Sequence, residues 1–165
     1  SDILIHIGDF SLNCTEEMFE NLISRIICQN VYVLWGNHNN PSNKIYKREL
    51  KKFNLNNNEF GTDYQEVYPL RYKNIVFVGH YFEAVIDSKI VIMSHYPIDV
   101  WNYMKEGAYM LCGHSHYSYP NTRKSFETGL ILDVGWDGYK RPYKFSEIVE
   151  IMNKKKIKAV DHHII

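Results

Sequence analysis

The chain has 165 residues, and its 19 lysines and arginines balance its 19 aspartates and glutamates, so its formal net charge is zero. Hydrophobic residues make up 45% and charged residues 23%, which is typical of a globular chain and not of a disordered one. Neutral charge excludes wholesale electrostatic wrapping of nucleic acid, and no apolar run reaches the roughly 20 residues of a membrane span. We therefore expect one domain over residues 1–165, with no membrane partner.

The cysteines and the start of the chain indicate the compartment. Cys14, Cys28 and Cys112 are widely spaced and form no CxxC pair, which disfavours a zinc-thiolate site and favours a reducing environment. Residues 1–6 show neither the basic nor the long apolar segment of a signal peptide. We expect a cytoplasmic protein.

The first elements alternate between strand and helix. Residues 3–7 read as a buried strand, Thr15 as the N-cap of an amphipathic helix that runs to about Asn30, and residues 31–35 as a second strand. This order predicts a βαβ unit with parallel strands. Further along we expect a helix at 41–53, a loop at 54–58, strands at 67–71, 75–78, 81–86, 89–93, 108–112 and 128–134, and helices at about 100–105 and at 147–155, the last capped by Ser146. The sum is a mixed α/β fold.

Polar residues that can bind metals follow one predicted strand after another. They occur in four blocks, Gly8-Asp9, Gly36-Asn37-His38, Ser94-His95 and Gly113-His114-Ser115-His116. Ligand sites of open α/β sheets gather at the carboxyl ends of the strands, so these distant blocks can converge. Taken alone, each block also fits an ordinary turn or a structural histidine. Their order along the chain favours a shared site.

The candidate ligands combine carboxylate, amide and imidazole groups without a thiolate. They are Asp9, Asn37, His95, His114 and His116. Such a set suits divalent Mn, Fe, Zn or Co better than calcium, which prefers oxygen alone. Two such ions can clamp the attacking and leaving oxygens of a phosphoryl transfer. His38 adjoins Asn37 and is the candidate for protonating a leaving group.

These four blocks, with Ser94-His95-Tyr96-Pro97 and Asp133-Val134-Gly135, resemble the small bacterial and phage members of the calcineurin-like metallophosphoesterases. The resemblance implies a layered β-sandwich flanked by helices, with a dinuclear metal centre. It implies that Asp9 bridges two ions, that His116 binds the first, and that Asn37, His95 and His114 bind the second. It gives His38 the role of stabilising or protonating the departing oxygen.

Two departures from the family pattern affect the expected activity. The Asp-x-His block that should precede Gly8-Asp9 does not precede it in this sequence, so we expect an N-terminal strand and helix to be missing, and one ion to be weakly held or absent. The residue after His38 is Asn39, where the family has Asp or Glu, and an amide orients the histidine only weakly.

The sequence favours a metal-dependent phosphoesterase acting on a phosphomonoester or phosphodiester. The alternative is a truncated or degenerate member that binds a ligand or partner without turnover. Nucleic acid is expected only as a substrate, because no basic stripe is evident. Aromatic residues that either line a cleft or pack loops are Tyr96, Trp101, Tyr117 and Trp136, and candidate phosphate ligands are Arg71, Arg123 and Arg141. His6, His80 and His162-His163 are interpreted as structural or as tail features. Substrate, metal, ion number and oligomeric state stay open.

Overall fold

A computed structural model describes residues 2–51, 68–125, 127 and 129–157. The fold is mixed α/β with two four-stranded sheets, which confirms the predicted fold class. The chain divides into two compact units, Ser1–His80 and Tyr81–Ile165, and each is described by itself. The single domain over residues 1–165 stays a prediction. No helix in the described part of the chain has the length and apolar character that crossing a bilayer requires.

The first unit contains a largely parallel sheet with two helices. Its strands lie in the order β1-β2-β4-β3, where the first three are parallel and β3 runs antiparallel to β4. The elements are β1 (Ile3–Ile7), α1 (Glu16–Ser24), β2 (Asn30–Leu34), α2 (Ser42–Lys51), β3 (Leu70–Tyr72) and β4 (Ile75–Gly79). The predicted βαβ unit is confirmed, and Ile7 lies opposite Leu34, so that β1 and β2 end side by side.

Helix α1 forms as its cap predicts but ends early. The Thr15 hydroxyl accepts a hydrogen bond from the Met18 amide at 3.2 Å, and Phe19 and Ile23 are buried beneath the helix. The helix was expected to run to about Asn30, but it ends at Ser24, so that expectation is wrong. The amides of Arg25 and Ile26 donate to the carbonyl oxygens three residues earlier, which closes the helix. Ile27 continues the apolar helical spacing in the sequence, but its side chain is 93% exposed and does not face the core.

The core of the first unit is aromatic. Trp35 stacks on Phe77 with ring centroids 4.9 Å apart, and the ring edge of Tyr46 packs against both. All three side chains are at least 95% buried. This packing joins α2 to the centre of the sheet and fixes the end of β2, where one block of candidate ligands begins.

The second unit also has a sheet with one antiparallel edge. The strands lie in the order β5-β6-β7-β8, with a hairpin between β5 and β6 and parallel pairing from β6 to β8. The elements are β5 (Tyr81–Ile86), β6 (Lys89–Ser94), β7 (Tyr109–Cys112), β8 (Ile131–Asp133), α3 (Trp136–Tyr139) and α4 (Phe145–Met152). Every residue of the inner strand β7 is buried, and so is every residue of β8, which lies at the edge of this sheet.

Two helical expectations in this unit are wrong. Residues 102–107 form successive turns instead of a helix, because Tyr103 adopts a left-handed conformation at φ 56° that interrupts it. Helix α4 begins at Phe145, so Ser146 lies inside the helix and does not cap it. The Glu147 carboxylate accepts a hydrogen bond from the Lys144 amide at 2.8 Å. The predicted end of α2 at Phe53, the loop at 54–58 and His162-His163 lie outside the described residues.

Candidate metal centre

The structure brings together the two blocks of the first unit. Because β1 and β2 are parallel neighbours, the residues after them emerge at the same edge of the sheet. The backbone amide of His38 donates a hydrogen bond of 2.8 Å to Asp9 Oδ1. Asp9 is therefore held directly against the segment that carries Asn37 and His38.

Gly36 is required by this contact. A Cβ atom at this position would lie 2.2 Å from Asp9 Oδ1 and 2.5 Å from the Asp9 amide nitrogen. Asp9 itself adopts φ 56°, a left-handed conformation that aspartate tolerates better than most residues. The glycine in the Gly-Asn-His block thus makes room for the carboxylate of another block.

Asn39 supports the loop and not the His38 ring. Its Oδ1 atom accepts the Gly36 amide at 3.0 Å, and its Nδ2 atom donates to the Gly36 carbonyl oxygen. The oxygen and the nitrogen of the Asn39 side-chain amide are therefore both bonded to the backbone of Gly36. Asn39 was expected to orient the His38 ring weakly. Its side chain instead stabilises the turn that carries His38.

The second unit brings His95 and His114 together. His95 follows β6 and is 2% exposed, and its carbonyl oxygen accepts the amides of Gly113 and His114 at 3.0 and 2.9 Å. The His95 Nε2 and His114 Nδ1 atoms lie 3.1 Å apart. Two imidazole nitrogens therefore face each other at the carboxyl ends of β6 and β7.

His116 is paired with a carboxylate that the sequence analysis missed. His116 adopts φ 47°, and its Nδ1 atom hydrogen-bonds to Asp137 Oδ2. Asp137 also accepts from Lys140 Nζ at 3.1 Å. Hydrogen bonds from His116 first, and then from Lys140, hold the pKa of the Asp137 carboxyl below its usual value. Its place just after β8, another strand end, was the available signal.

Asp133 joins the two segments that carry this pair. It is fully buried, its Oδ2 atom accepts from Ser115 Oγ at 2.5 Å and from the Tyr117 amide at 3.3 Å, and its Oδ1 atom accepts the Gly135 amide at 2.7 Å. The Asp133 carboxylate therefore connects Ser115 and Tyr117, which flank His116, to Gly135, which precedes α3. The sequence alone predicts no role for Asp133.

The donor set of the second unit fits a divalent ion. The His95 Nε2 and His114 Nδ1 atoms face each other 3.1 Å apart, and neutral imidazole nitrogens are common ligands of divalent transition metals. Within the described ranges, no three His, Cys, Asp or Glu side chains are grouped as ligands of one ion. The described residues therefore show a facing pair of imidazoles and not a complete centre.

A polar pocket in the first unit adjoins two candidate residues. Its volume is about 290 Å³, and Asn37 and His38 are part of its wall. The loop after β1 forms the opposite wall through Ser11 and Cys14. His38 is exposed there, so its ring is accessible from this pocket.

The other candidate residues divide between packing and surface. Trp101 is buried and donates from Nε1 to the Ala108 carbonyl at 3.0 Å, which makes it a packing residue, whereas Trp136 is 64% exposed. Arg141 forms an ion pair with Glu147, and this interaction, together with the Lys144 amide, lowers the pKa of Glu147 to about 2. Arg123 donates from Nε to the Tyr117 carbonyl oxygen at 2.8 Å. These contacts favour structural roles for both arginines.

Comparison with known proteins agrees with the site chemistry. No curated protein and no solved structure matches the chain. The family model described as calcineurin-like phosphoesterase matches residues 1–160, which is nearly the whole sequence. The chain, with its histidine pair and its Asp9 contact at strand ends, therefore belongs to the calcineurin-like phosphoesterase family.

Proposed function

We propose that the chain is a metal-dependent phosphoesterase that hydrolyses a phosphomonoester or phosphodiester with a metal-activated water. The observation that carries this proposal is that His95 Nε2 and His114 Nδ1 face each other at the ends of two adjacent parallel strands, where they could hold one ion. Family membership supports the reaction class. The mixed imidazole, amide and carboxylate chemistry favours Mn, Fe or Zn.

The proposed ligands keep the roles that the family resemblance implies. By that resemblance Asn37, His95 and His114 would hold one ion, His116 would hold the other, and Asp9 would serve both. When bound, such ions neutralise phosphate charge and lower the pKa of coordinated water. The contact of the His38 amide with Asp9 supports a common position for Asp9 and His38 at the reacting group. His38 would then donate a proton to the departing oxygen.

Hydrolysis of bis(p-nitrophenyl) phosphate and of p-nitrophenyl phosphate in Mn²⁺ tests the proposal and distinguishes a diesterase from a monoesterase. His95→Ala and Asp9→Asn should each lower kcat/KM at least about 100-fold, because each removes a ligand. His80→Ala is the control, since His80 is exposed and outside the candidate set. Equal rates for wild type and both ligand variants would refute the proposal.

A family member that binds its ligand without turnover is the second candidate. The engagement of Asn39 with Gly36 favours it, because the side chain that follows His38 is committed to the backbone. Metal content separates the two candidates: two ions per chain with turnover indicate the enzyme, and one or none without turnover indicates the binding protein. The free thiols of Cys14, Cys28 and Cys112 support a cytoplasmic location for either.

A further inference from the structure

The pocket beside His38 is lined by side-chain amides. Its wall includes Asn13, Asn37, Asn39, Asn40 and Asn43. No lysine, arginine, aspartate or glutamate of the described chain contributes to this lining. The side-chain amides of Asn13, Asn40 and Asn43 offer both donors and an acceptor without net charge. Asn39 is already bonded to Gly36, and Asn37 is a proposed metal ligand. The surface is therefore suited to a group that hydrogen-bonds in both directions and carries no charge.

The start of α2 does not convert this pocket into an anion site. A helix N-terminus attracts anions through its unpaired amides. Here the Ser42 amide donates to Ser11 Oγ at 3.3 Å, and the Asn43 amide donates to the Asn39 carbonyl oxygen at 2.7 Å. The next amide, that of Lys44, donates to the Pro41 carbonyl oxygen at 2.8 Å. The first amides of the helix are already satisfied by protein.

Two buried serines join the two loops that line the pocket. The buried hydroxyls of Ser11 and Ser42 lie 2.6 Å apart, and Ser42 Oγ donates to the Asn39 carbonyl oxygen at 2.6 Å. The loop after β1 is thereby joined to the loop after β2. A pocket with fixed walls loses less conformational freedom when a ligand binds.

We propose that this pocket binds the uncharged, polyhydroxylated or amide-bearing part of the phosphate ester, of the kind that a nucleoside presents. This inference rests on the proposed function, because His38 then lies between the pocket and the ester oxygen that it serves. The volume of about 290 Å³ accommodates one sugar- or base-sized group at the small end of ligand pockets. A second phosphate or a carboxylate would find no lysine or arginine among the described lining residues, and His38 is assigned to the ester oxygen.

The test compares two diesters that share a leaving group. One is the p-nitrophenyl ester of thymidine 5′-phosphate, and the other is bis(p-nitrophenyl) phosphate. Asn13→Gly and Asn43→Leu each remove one side-chain amide. Glycine is used at position 13 because Asn13 adopts a left-handed conformation at φ 51°, which leucine rarely adopts. Each variant should lower the preference for the thymidine ester, measured as the ratio of the two kcat/KM values, by about fivefold for one lost hydrogen bond. Asn21→Leu, an exposed site on α1, is the matched control and should leave the ratio unchanged.

A binding measurement separates failure of this inference from failure of the proposed function. Titration of the metal-free chain with thymidine, followed by the side-chain amide signals of asparagine in NMR spectra, should give saturable shifts that Asn13→Gly and Asn43→Leu weaken. This result holds even if neither ester is hydrolysed. Absence of saturable shifts would overturn the inference, as would tighter binding of inorganic pyrophosphate than of thymidine, or equal losses for both esters in the two variants.

Discussion

His95 Nε2 and His114 Nδ1 lie 3.1 Å apart at the ends of two adjacent parallel strands. In the metal-free protein one of these nitrogens donates to the other, so the pair shares one proton. Under the proposed function a divalent ion would take the place of that proton, because both nitrogens would then act as ligands. The backbone holds the pair in position, since the His95 carbonyl oxygen accepts the His114 amide at 2.9 Å.

Removal of either imidazole should weaken metal binding. His95→Ala and His114→Ala are each expected to lower the affinity for Co²⁺ or Mn²⁺ at least about 100-fold, more than the loss of a supporting group does. Isothermal titration calorimetry measures the affinity, and Co²⁺ absorption reports the ligand type. His80→Ala should bind like wild type. Unchanged affinity in both ligand variants would show that the pair is only a structural hydrogen bond.

Asp137 should position His116. Its hydrogen bond to Nδ1 leaves Nε2 of the ring available as the metal ligand. Asp137→Asn is expected to lower metal affinity about tenfold, and Asp137→Glu should restore part of it. The ¹⁵N shifts of the His116 ring report the tautomer, which a merely structural role would not change. Asp87→Asn, in an exposed turn of β5–β6, is the matched control. An unaltered tautomer in Asp137→Asn would contradict this role.

Asp133 should stabilise the second unit independently of metal. Asp133→Ala leaves the Ser115 hydroxyl and the amides of Gly135 and Tyr117 without their acceptor. Loss of a buried, charged acceptor of this kind should lower the free energy of unfolding by about 2–4 kcal/mol. Urea denaturation measures the change, and Asp87→Asn should shift it by less than about 0.5 kcal/mol. A shift as small as that control's for Asp133→Ala would contradict the expected role.

Lys155 should make stability depend on alkaline pH. Burial, which disfavours the charged form, lowers its pKa from 10.5 to about 8, although Nζ donates to the Arg123 carbonyl oxygen at 2.8 Å. Between these values the unfolded chain holds a proton that the folded chain has released. Unfolding then takes up a proton, so the free energy of unfolding should rise with pH from about 8 to 10.5.

The size of this rise is at most about 3 kcal/mol, from a shift of about 2.5 pKa units. Lys155→Met removes the titrating group and keeps the apolar stem. The difference in stability between wild type and this variant should therefore grow in favour of wild type across that window. Urea denaturation at several pH values measures it. A difference that stays constant with pH would contradict the lowered pKa.

Much of the fold follows from local sequence patterns. The apolar runs at 3–7 and 81–86 coincide with β1 and β5 as predicted, because unbroken or alternating apolar runs mark strands. The positions of Asp9, His95 and His114 after strands were readable for the same reason. The expected burial of residues 3–7 is wrong, since Ile3 is 61% exposed and the rest of β1 is half-buried at the edge of its sheet. The end of α1 could not be predicted from the sequence, since Ile27 continues the apolar spacing although its side chain is exposed.

The supporting groups of the site depend on contacts that no short window contains. Asp137 meets His116 across 21 residues, and Asp133 meets Ser115 across 18. Asn39 could be identified as a departure from the family pattern, but its bonds to Gly36 depend on how the turn closes. The sequence therefore identifies candidate ligands more readily than the groups that orient them.

The space at Gly36 has a consequence for interpreting natural variation. Any side chain there would collide with the Asp9 carboxylate, since even the first carbon would lie 2.2 Å from Oδ1. A substitution at position 36 should therefore impair function as much as a substitution of Asp9 itself, although glycine has no reactive group. In a saturation library scored for function, both positions should be equally intolerant, and a tolerated alanine at 36 would show that the turn after β2 can open.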